Sequence, residues 1–207
     1  MNNKEAELLK TNGFVVIRNF ISKNKIVKLK NEVEKVAKKY GVSRIFEKKN
    51  INWWKENFEY LNSIKIELNY RNKVFRDFYK YKKFFSKTDT LIKKKSKKFK
   101  VDKVRFNVPN KHNQIYPWHQ DEITWPDKLN KKPITFWVPL VSVNKKNGLE
   151  LFITKPKISN LLPHKFGKNP KTKLKYATIR DKKFIHKTIC PNLKIGDDIV
   201  FDNFLAH

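Results

Sequence analysis

Three residues of metal-ligating type stand out: His119 and Asp121, separated by Gln120 in the run YPWHQDE at 116 to 122, and the distant His207. In an extended segment side chains repeat every two residues, so an imidazole and a carboxylate at i and i+2 face the same side and can chelate one cation. With a remote histidine as third donor they form the 2-His-1-carboxylate set of non-haem Fe(II) oxygenases, which leaves coordination positions open for a cosubstrate and dioxygen. His207 can supply the third donor. Taken alone the spacing is a weak signal. Five His and nine Asp in 207 residues give about 0.2 chance H-x-D pairs, and a surface pair or a core histidine tied to a carboxylate accounts for it as well. His112, His164 and His186 are rival imidazoles, but their polar or lysine-rich surroundings predict solvated side chains.

The elements that would position these residues can be read from punctuation and period. Asn12-Gly13 predicts a turn and Phe14 to Ile17 a strand. Ser22 then opens a helix whose Ile26, Leu29, Val33 and Val36 form one apolar face, with Gly41 just past its end. From Ile51 to Tyr81 the chain is aromatic and charged without Gly or Pro, which favours helices; Phe75, Phe78 and Tyr79 share a face. Thr88 or Asp89 is expected to cap a short helix reaching Lys94, and the lysine run 93 to 100 reads as a solvated helix end or an anion-binding patch. After Lys100 prolines punctuate strand-length apolar runs. Val101 to Val108 suggests one strand, and Ile134 to Val138 another, with Leu149 to Ile153 as its partner across the Asn147-Gly148 turn. Ile199 to Phe201 forms a further strand after Gly196-Asp197, followed by a short one that ends on His207. One domain is expected over residues 1 to 207, helix-rich to residue 100 and with a β core from 101 to 207.

Composition narrows the classes. With 48 Lys and Arg against 19 Asp and Glu the net charge is +29, yet 16 Phe, 7 Tyr and 5 Trp are too many aromatics for a disordered polycation. Only six of the 48 bases are Arg, the planar fork that phosphate-clamping and base-reading surfaces exploit. Charge is therefore read as background, and no specific nucleic acid is expected as partner. The single Cys190 excludes an intrachain disulfide and a Cys-rich zinc site. No apolar run reaches membrane-spanning length and the first ten residues lack a signal-peptide pattern, so a cytoplasmic protein is expected.

The order of these segments resembles the phytanoyl-CoA dioxygenase family of Fe(II)/2-oxoglutarate-dependent oxygenases. GFVVIRNFISKNKIVKLKNEVEKV at 13 to 36 is similar to its opening strand and helix, and YPWHQDE to its metal-binding strand. ITFWVPLVSVNKKNGLEL at 134 to 151 is similar to its Trp-containing strand and Asn-Gly turn, and IGDDIVFDNFLAH at 195 to 207 to its Gly-Asp strand and distal metal histidine. Four matches in order cover most of the chain.

The resemblance implies a mainly β protein with N-terminal helices, folded as a double-stranded β-helix (a cupin-like jelly roll). It implies His119, Asp121 and His207 as iron ligands, and Gln120 and Trp137 beside the 2-oxoglutarate pocket. The implied activity is hydroxylation of a C–H group on a small or lipid-like substrate, with an anionic one compatible, using Fe(II), 2-oxoglutarate and dioxygen. Two departures matter. LELFITKPK replaces the family's Pro-Gly-Ser-His segment after the Asn-Gly turn. In addition, the arginine that grips the far carboxylate of 2-oxoglutarate, about ten residues past the distal histidine, has no match up to His207. The barrel is thus expected to be incomplete at its C-terminal edge and turnover by the 207-residue form is in question; Arg105, Arg180 or a lysine would have to substitute. A basic nucleic-acid or anionic-surface binding protein and a catalytically inactive structural relative are the rival readings.

Overall fold

The computed structural model describes residues 3–48, 50–93, 104–106, 117–124, 134–154, 157–168, 175–181, 183 and 187–207. His112, His186, the lysines 94 to 100 and most of the strand expected over 101 to 108 lie outside them.

Helix α1 (Asn3–Asn12) precedes β1 (Phe14–Ile17), and α2 (Lys23–Lys39) carries the expected stripe, with Ile26, Leu29, Val33 and Val36 all buried. Each such side chain contributes about 1.5–3 kcal/mol by leaving water. Ser22 starts α2 without a side-chain cap bond. Its far end closes as the glycine suggests, the Gly41 and Val42 amides donating back to the Lys38 and Ala37 carbonyls. Helices α3 (Ile51–Glu56), α4 (Phe58–Ile66) and α5 (Lys73–Tyr79) fill the aromatic stretch, with one π turn at Glu67–Arg71. Helix α6 runs over Lys82–Ile92. Thr88 therefore sits inside α6, its hydroxyl donating to the Phe84 carbonyl, and neither it nor Asp89 caps a helix.

The strands are β1, β2 (Ile134–Trp137), β3 (Leu151–Ile153), β4 (His164–Lys168), β5 (Lys175–Ile179), β6 (Lys187–Ile189) and β7 (Asp198–Asp202). Among the described residues they make three small antiparallel sheets, ordered β1-β7-β2, β3-β6 and β4-β5. The expected partnership of β2 with the 149–153 segment does not form. β7 lies between β1 and β2 and takes both ladders, pairing Val15 and Phe136 with Val200. The turn at Asn144–Gly148 carries the chain to the other sheet, where β3 pairs with β6.

The expected mainly β double-stranded β-helix is also corrected. The fold is mixed α/β, with helices packed over much of the chain and open sheets of three, two and two strands. Helical side chains such as Leu29, Val33, Ile64, Phe75 and Phe84 share a core with Val15, Ile17 and Val200, so one face of the three-stranded sheet is covered by helices. The other face packs Ile199 and Phe201 against Leu151 of β3, together with Val143, Leu193 and Leu205. Strands of three to five residues paired in separate ladders have neither the length nor the continuity to curl into a closed barrel.

The β1–β7 end of the sheet is pinned by Asp197. Its carboxylate accepts from the Asn19 amide at 3.0 Å, the Lys194 amide at 2.9 Å and the Arg18 guanidinium at 2.6 Å, and these donors hold it below the usual carboxylate range against the opposing effect of burial. Gly196 makes the turn possible: φ is +95° and a Cβ there would lie 2.5 Å from the Ile21 carbonyl oxygen.

Candidate metal centre

His119 and His207 face each other as a hydrogen-bonded antiparallel pair. The His119 amide donates to the His207 carbonyl at 3.1 Å, and the His207 amide donates back at 3.0 Å. Such reciprocal pairing puts both side chains on one face, and the imidazole centroids lie 4.5 Å apart. Only an isolated bridge, Gln120 to Ala206, continues this ladder, and Asp121 already begins a single helical turn over Asp121–Thr124. The i, i+2 relation survives the change of backbone, since Asp121 Oδ1 stands 3.8 Å from His119 Nε2 and 3.7 Å from His207 Nε2. One donor atom from each of the three residues falls within a 4.8 Å circle.

The tautomers follow from the backbone. His119 Nδ1 is 2.9 Å from the Pro117 carbonyl and His207 Nδ1 is 3.0 Å from the Leu205 carbonyl. A carbonyl only accepts, so each Nδ1 carries its proton and each Nε2 presents a lone pair to the centre. Asp121 Oδ2 accepts from the Thr135 hydroxyl at 2.8 Å, which turns Oδ1 inward. Two neutral imidazoles and one carboxylate, each held by a second hydrogen bond, fit a first-row divalent ion. The two Nε2–Oδ1 separations, 3.8 and 3.7 Å, exceed by a fraction of an ångström the roughly 3 Å edge expected for bonds of 2.0–2.2 Å at right angles.

Burial, reinforced by the neighbouring His207 and by Arg105, lowers the His119 pKa to about 4; Asp121 and the Pro117 carbonyl oppose the shift. The sign is that of a depressed base. Between about 6.5 and 4 the unfolded chain binds a proton that the folded chain refuses, so this contribution to stability is intact above about pH 6.5 and is lost as pH falls toward 4. Measured against His119→Gln, the melting temperature of the chelator-treated parent should therefore fall as the buffer is lowered from pH 7 to 4.5, the difference between the two proteins being what this residue contributes.

The turn that delivers His207 is built on Asp202. Its Oδ1 accepts from the Phe204 and Leu205 amides at 3.1 and 3.0 Å, its Oδ2 pairs with Lys157 at 2.5 Å, and its own amide donates to the Gly13 carbonyl. Phe201 packs its ring 4.6 Å from the His207 imidazole. Trp137 is half-buried on β2, opposite Ile199 and two residues beyond Thr135, so it shares the sheet face that carries the support for Asp121. Gln120 points the other way and is fully buried. Its amide donates to the Asn160 and Phe204 carbonyls, and its oxygen accepts from the Leu162 amide at 2.7 Å.

Three functional contributors are not apparent in the sequence. Thr135 is one; its only signal is its parity with Trp137. The Asp202–Lys157 pair is another. The third is His164, which is buried and not solvated as expected: its Nδ1 lies 2.6 Å from the Leu162 carbonyl and its Nε2 accepts from the Gln120 amide at 3.3 Å. Burial lowers its pKa, which favours the neutral acceptor form. Replacing Thr135 by the isosteric valine should weaken metal binding about 10–100-fold without a matching loss of thermal stability, as read by titration against a competing chelator.

A facial donor set on a small α/β scaffold is the arrangement of the mononuclear non-haem oxygenase class. The family model for phytanoyl-CoA dioxygenase (PhyH) matches residues 9–207, and the chain belongs to that family. Solved structures share the fold. EvdO2 from Micromonospora carbonacea var. aurantiaca is 12% identical with a TM-score of 0.61, the match covering 100% of this chain and 82% of that one. The epimerase SnoN, in complex with Fe3+, alpha ketoglutarate and nogalamycin RO, is 13% identical with a TM-score of 0.57, covering 98% and 74%. EvdO2 complexed with 2-oxoglutarate is 14% identical with a TM-score of 0.55, covering 100% and 82%. No curated protein sequence matches the chain.

Proposed function

We propose that this chain is an Fe(II)- and 2-oxoglutarate-dependent oxygenase that hydroxylates a C–H group of a small or lipid-like substrate, with His119, Asp121 and His207 as the iron ligands. The carrying observation is the convergence of the His119 and His207 Nε2 atoms on Asp121 Oδ1, with a hydrogen bond behind each of the three side chains. Iron with 2-oxoglutarate and dioxygen supplies the oxidising equivalent in such enzymes. The chain's residues do the rest. The Pro117 and Leu205 carbonyls hold the imidazoles as neutral ligands, Thr135 aims Asp121, and Phe201 shields the His207 ring from water.

Trp137, on the ligand-bearing face, is assigned to the wall of the cosubstrate pocket. Gln120 is assigned to the same region through the backbone it fixes. For the far carboxylate of 2-oxoglutarate, Arg105 is favoured over Arg180: its charge acts on His119, whereas the Arg180 Nε donates to the His164 carbonyl. Helices and sheets are read as one domain, in a cytoplasmic setting suited to the single Cys190.

The test is succinate formation dependent on both Fe(II) and 2-oxoglutarate, with metal content measured in parallel. Stoichiometric iron and uncoupled succinate production are expected. A protein that binds no metal and forms no succinate, even when produced with any downstream coding sequence, would defeat the reading in favour of a catalytically inactive relative.

A further inference from the structure

The antiparallel hairpin of β4 and β5 pairs with no further strand among the described residues. Along the face that holds His164, Ala177 and Ile179, burial ends abruptly: these three are 8%, 8% and 5% exposed, whereas Phe166, opposite Ala177, is 75% exposed. No large apolar side chain among the described residues is more open to solvent than this phenylalanine. Lys165 and Lys168 flank it, both exposed, with Lys168 on the same strand face.

From Lys157 to Lys187 the sequence carries ten bases and one acid, against 48 and 19 for the whole chain. That acid, Asp181, already pairs with Lys183 at 3.0 Å. The hairpin root is fixed to the segment that bears the candidate ligands. The Ile179 amide donates to the Trp118 carbonyl, the Arg180 amide to the Pro163 carbonyl, and the Gln120 amide to His164.

We propose that the β4–β5 hairpin docks the protein peripherally on an anionic lipid surface, Phe166 entering the boundary between headgroups and acyl chains while Lys165 and Lys168 meet the headgroups. An aromatic that reaches hydrocarbon beside exposed lysines is the arrangement of interfacial binders. No described helix is long and apolar enough to cross a membrane, so the attachment is to the surface. A single-stranded nucleic acid fits less well. Stacking platforms present successive aromatics, whereas among the described residues of the hairpin Phe166 has no second aromatic on its face, Tyr176 lying against Gly167 on the other, and the nearby Arg180 Nε is engaged by the His164 carbonyl.

The proposal does not depend on metal or turnover, and its test reads binding alone. The intact protein is sedimented with vesicles of phosphatidylcholine, or of phosphatidylcholine and phosphatidylglycerol at roughly 70:30, in about 0.15 M salt, where loose charge attraction is screened. Binding to the anionic vesicles only is expected. Phe166→Ser, which leaves the charge unchanged and alters an exposed side chain, should weaken the partition coefficient about tenfold or more. Tyr70→Ser, at an aromatic 62% exposed on the helical side, should leave it as it was. Equal binding by Phe166→Ser and the parent protein, or equal losses from the two substitutions, would overturn the proposal. So would Phe166-dependent binding of a single-stranded oligonucleotide without vesicle binding.

Discussion

Asp121→Ala should give a protein that folds but no longer retains Fe(II). Asp121 supplies the anionic donor between two neutral imidazoles, and its Oδ1 is the atom nearest both Nε2 positions, at 3.8 and 3.7 Å. Loss of an outer-shell partner of a metal ligand commonly costs 10–100-fold in affinity. Loss of a ligand that also carries the neutralising charge must cost more, on the order of 1,000-fold or beyond. The fold should survive because the 119–207 pairing is made by backbone amides and carbonyls, and the bond from the Thr135 hydroxyl to Asp121 Oδ2 lies outside the β2–β7 ladder. Iron content after desalting separates the outcomes, with circular dichroism as the control. His119→Ala should behave alike. A variant at Asp121 that binds iron as tightly as the parent would refute the ligand assignment, and the hydroxylation reading with it.

The His119–Asp121 half of the candidate site is legible in the sequence because its spacing is local: side chains at i and i+2 face together in extended backbone, and here the two still converge although the chain turns helical at Asp121. His207 lies far off in the chain, and no local signal joins it to them. The strand over Phe14–Ile17 and the apolar stripe of α2 were legible for the same reason, since period and turn residues lie within one short window. Pairing is not a local property. Nothing within Ile134–Val138 or Leu149–Ile153 states that β7 will stand between β1 and β2, so local signals pair the nearest strand-like segments, and the sheet order differs from that expectation. The closed-barrel expectation failed likewise, because it needs strand continuity that only the register reveals. His164 was misjudged from its lysine neighbours. In β4 alternate residues face opposite sides, so the exposed Lys165 beside it says nothing about a side chain that turns inward onto Gln120. Helix α1 was missed because its buried Ala6 and Leu9 are too few to stand out among polar residues.

Asp198 bears on stability where Asp121 bears on function. It lies in the middle strand of the three-stranded sheet, opposite Ile17, and alternation places it on the side of Val200, in the core beneath the helices. The side chain is completely buried and neither carboxyl oxygen has a hydrogen-bond partner. Its neighbour Asp197 takes the amides and the Arg18 guanidinium at this end of the strand. Burial therefore raises the Asp198 pKa well above 3.8, with the Ile199 amide opposing only in part.

The folded protein then holds a proton that the unfolded chain releases. By linkage its stability is greatest below the unfolded pKa and declines as pH rises through the interval up to the folded pKa, by as much as about 1.4 kcal/mol per pH unit. Asp198→Val removes both the unsatisfied acid and the linkage, and it places a β-branched side chain in a central strand where it fits. A gain on the order of 1–3 kcal/mol at pH 7.5 is expected, or roughly 2–12 °C in Tm for a chain of this size. The gain should shrink toward pH 4. Asp198→Asn separates the two contributions: it should abolish the pH slope while leaving much of the burial cost, because an unpartnered amide in the same place is no better satisfied. Since Ile199 and Phe201 face the other side of the sheet, toward the candidate ligands, iron affinity should be unchanged in both variants. Thermal melts of the three proteins across pH 5 to 8 decide it: parallel curves for the parent and Asp198→Val would mean that the carboxyl finds a partner or water in solution.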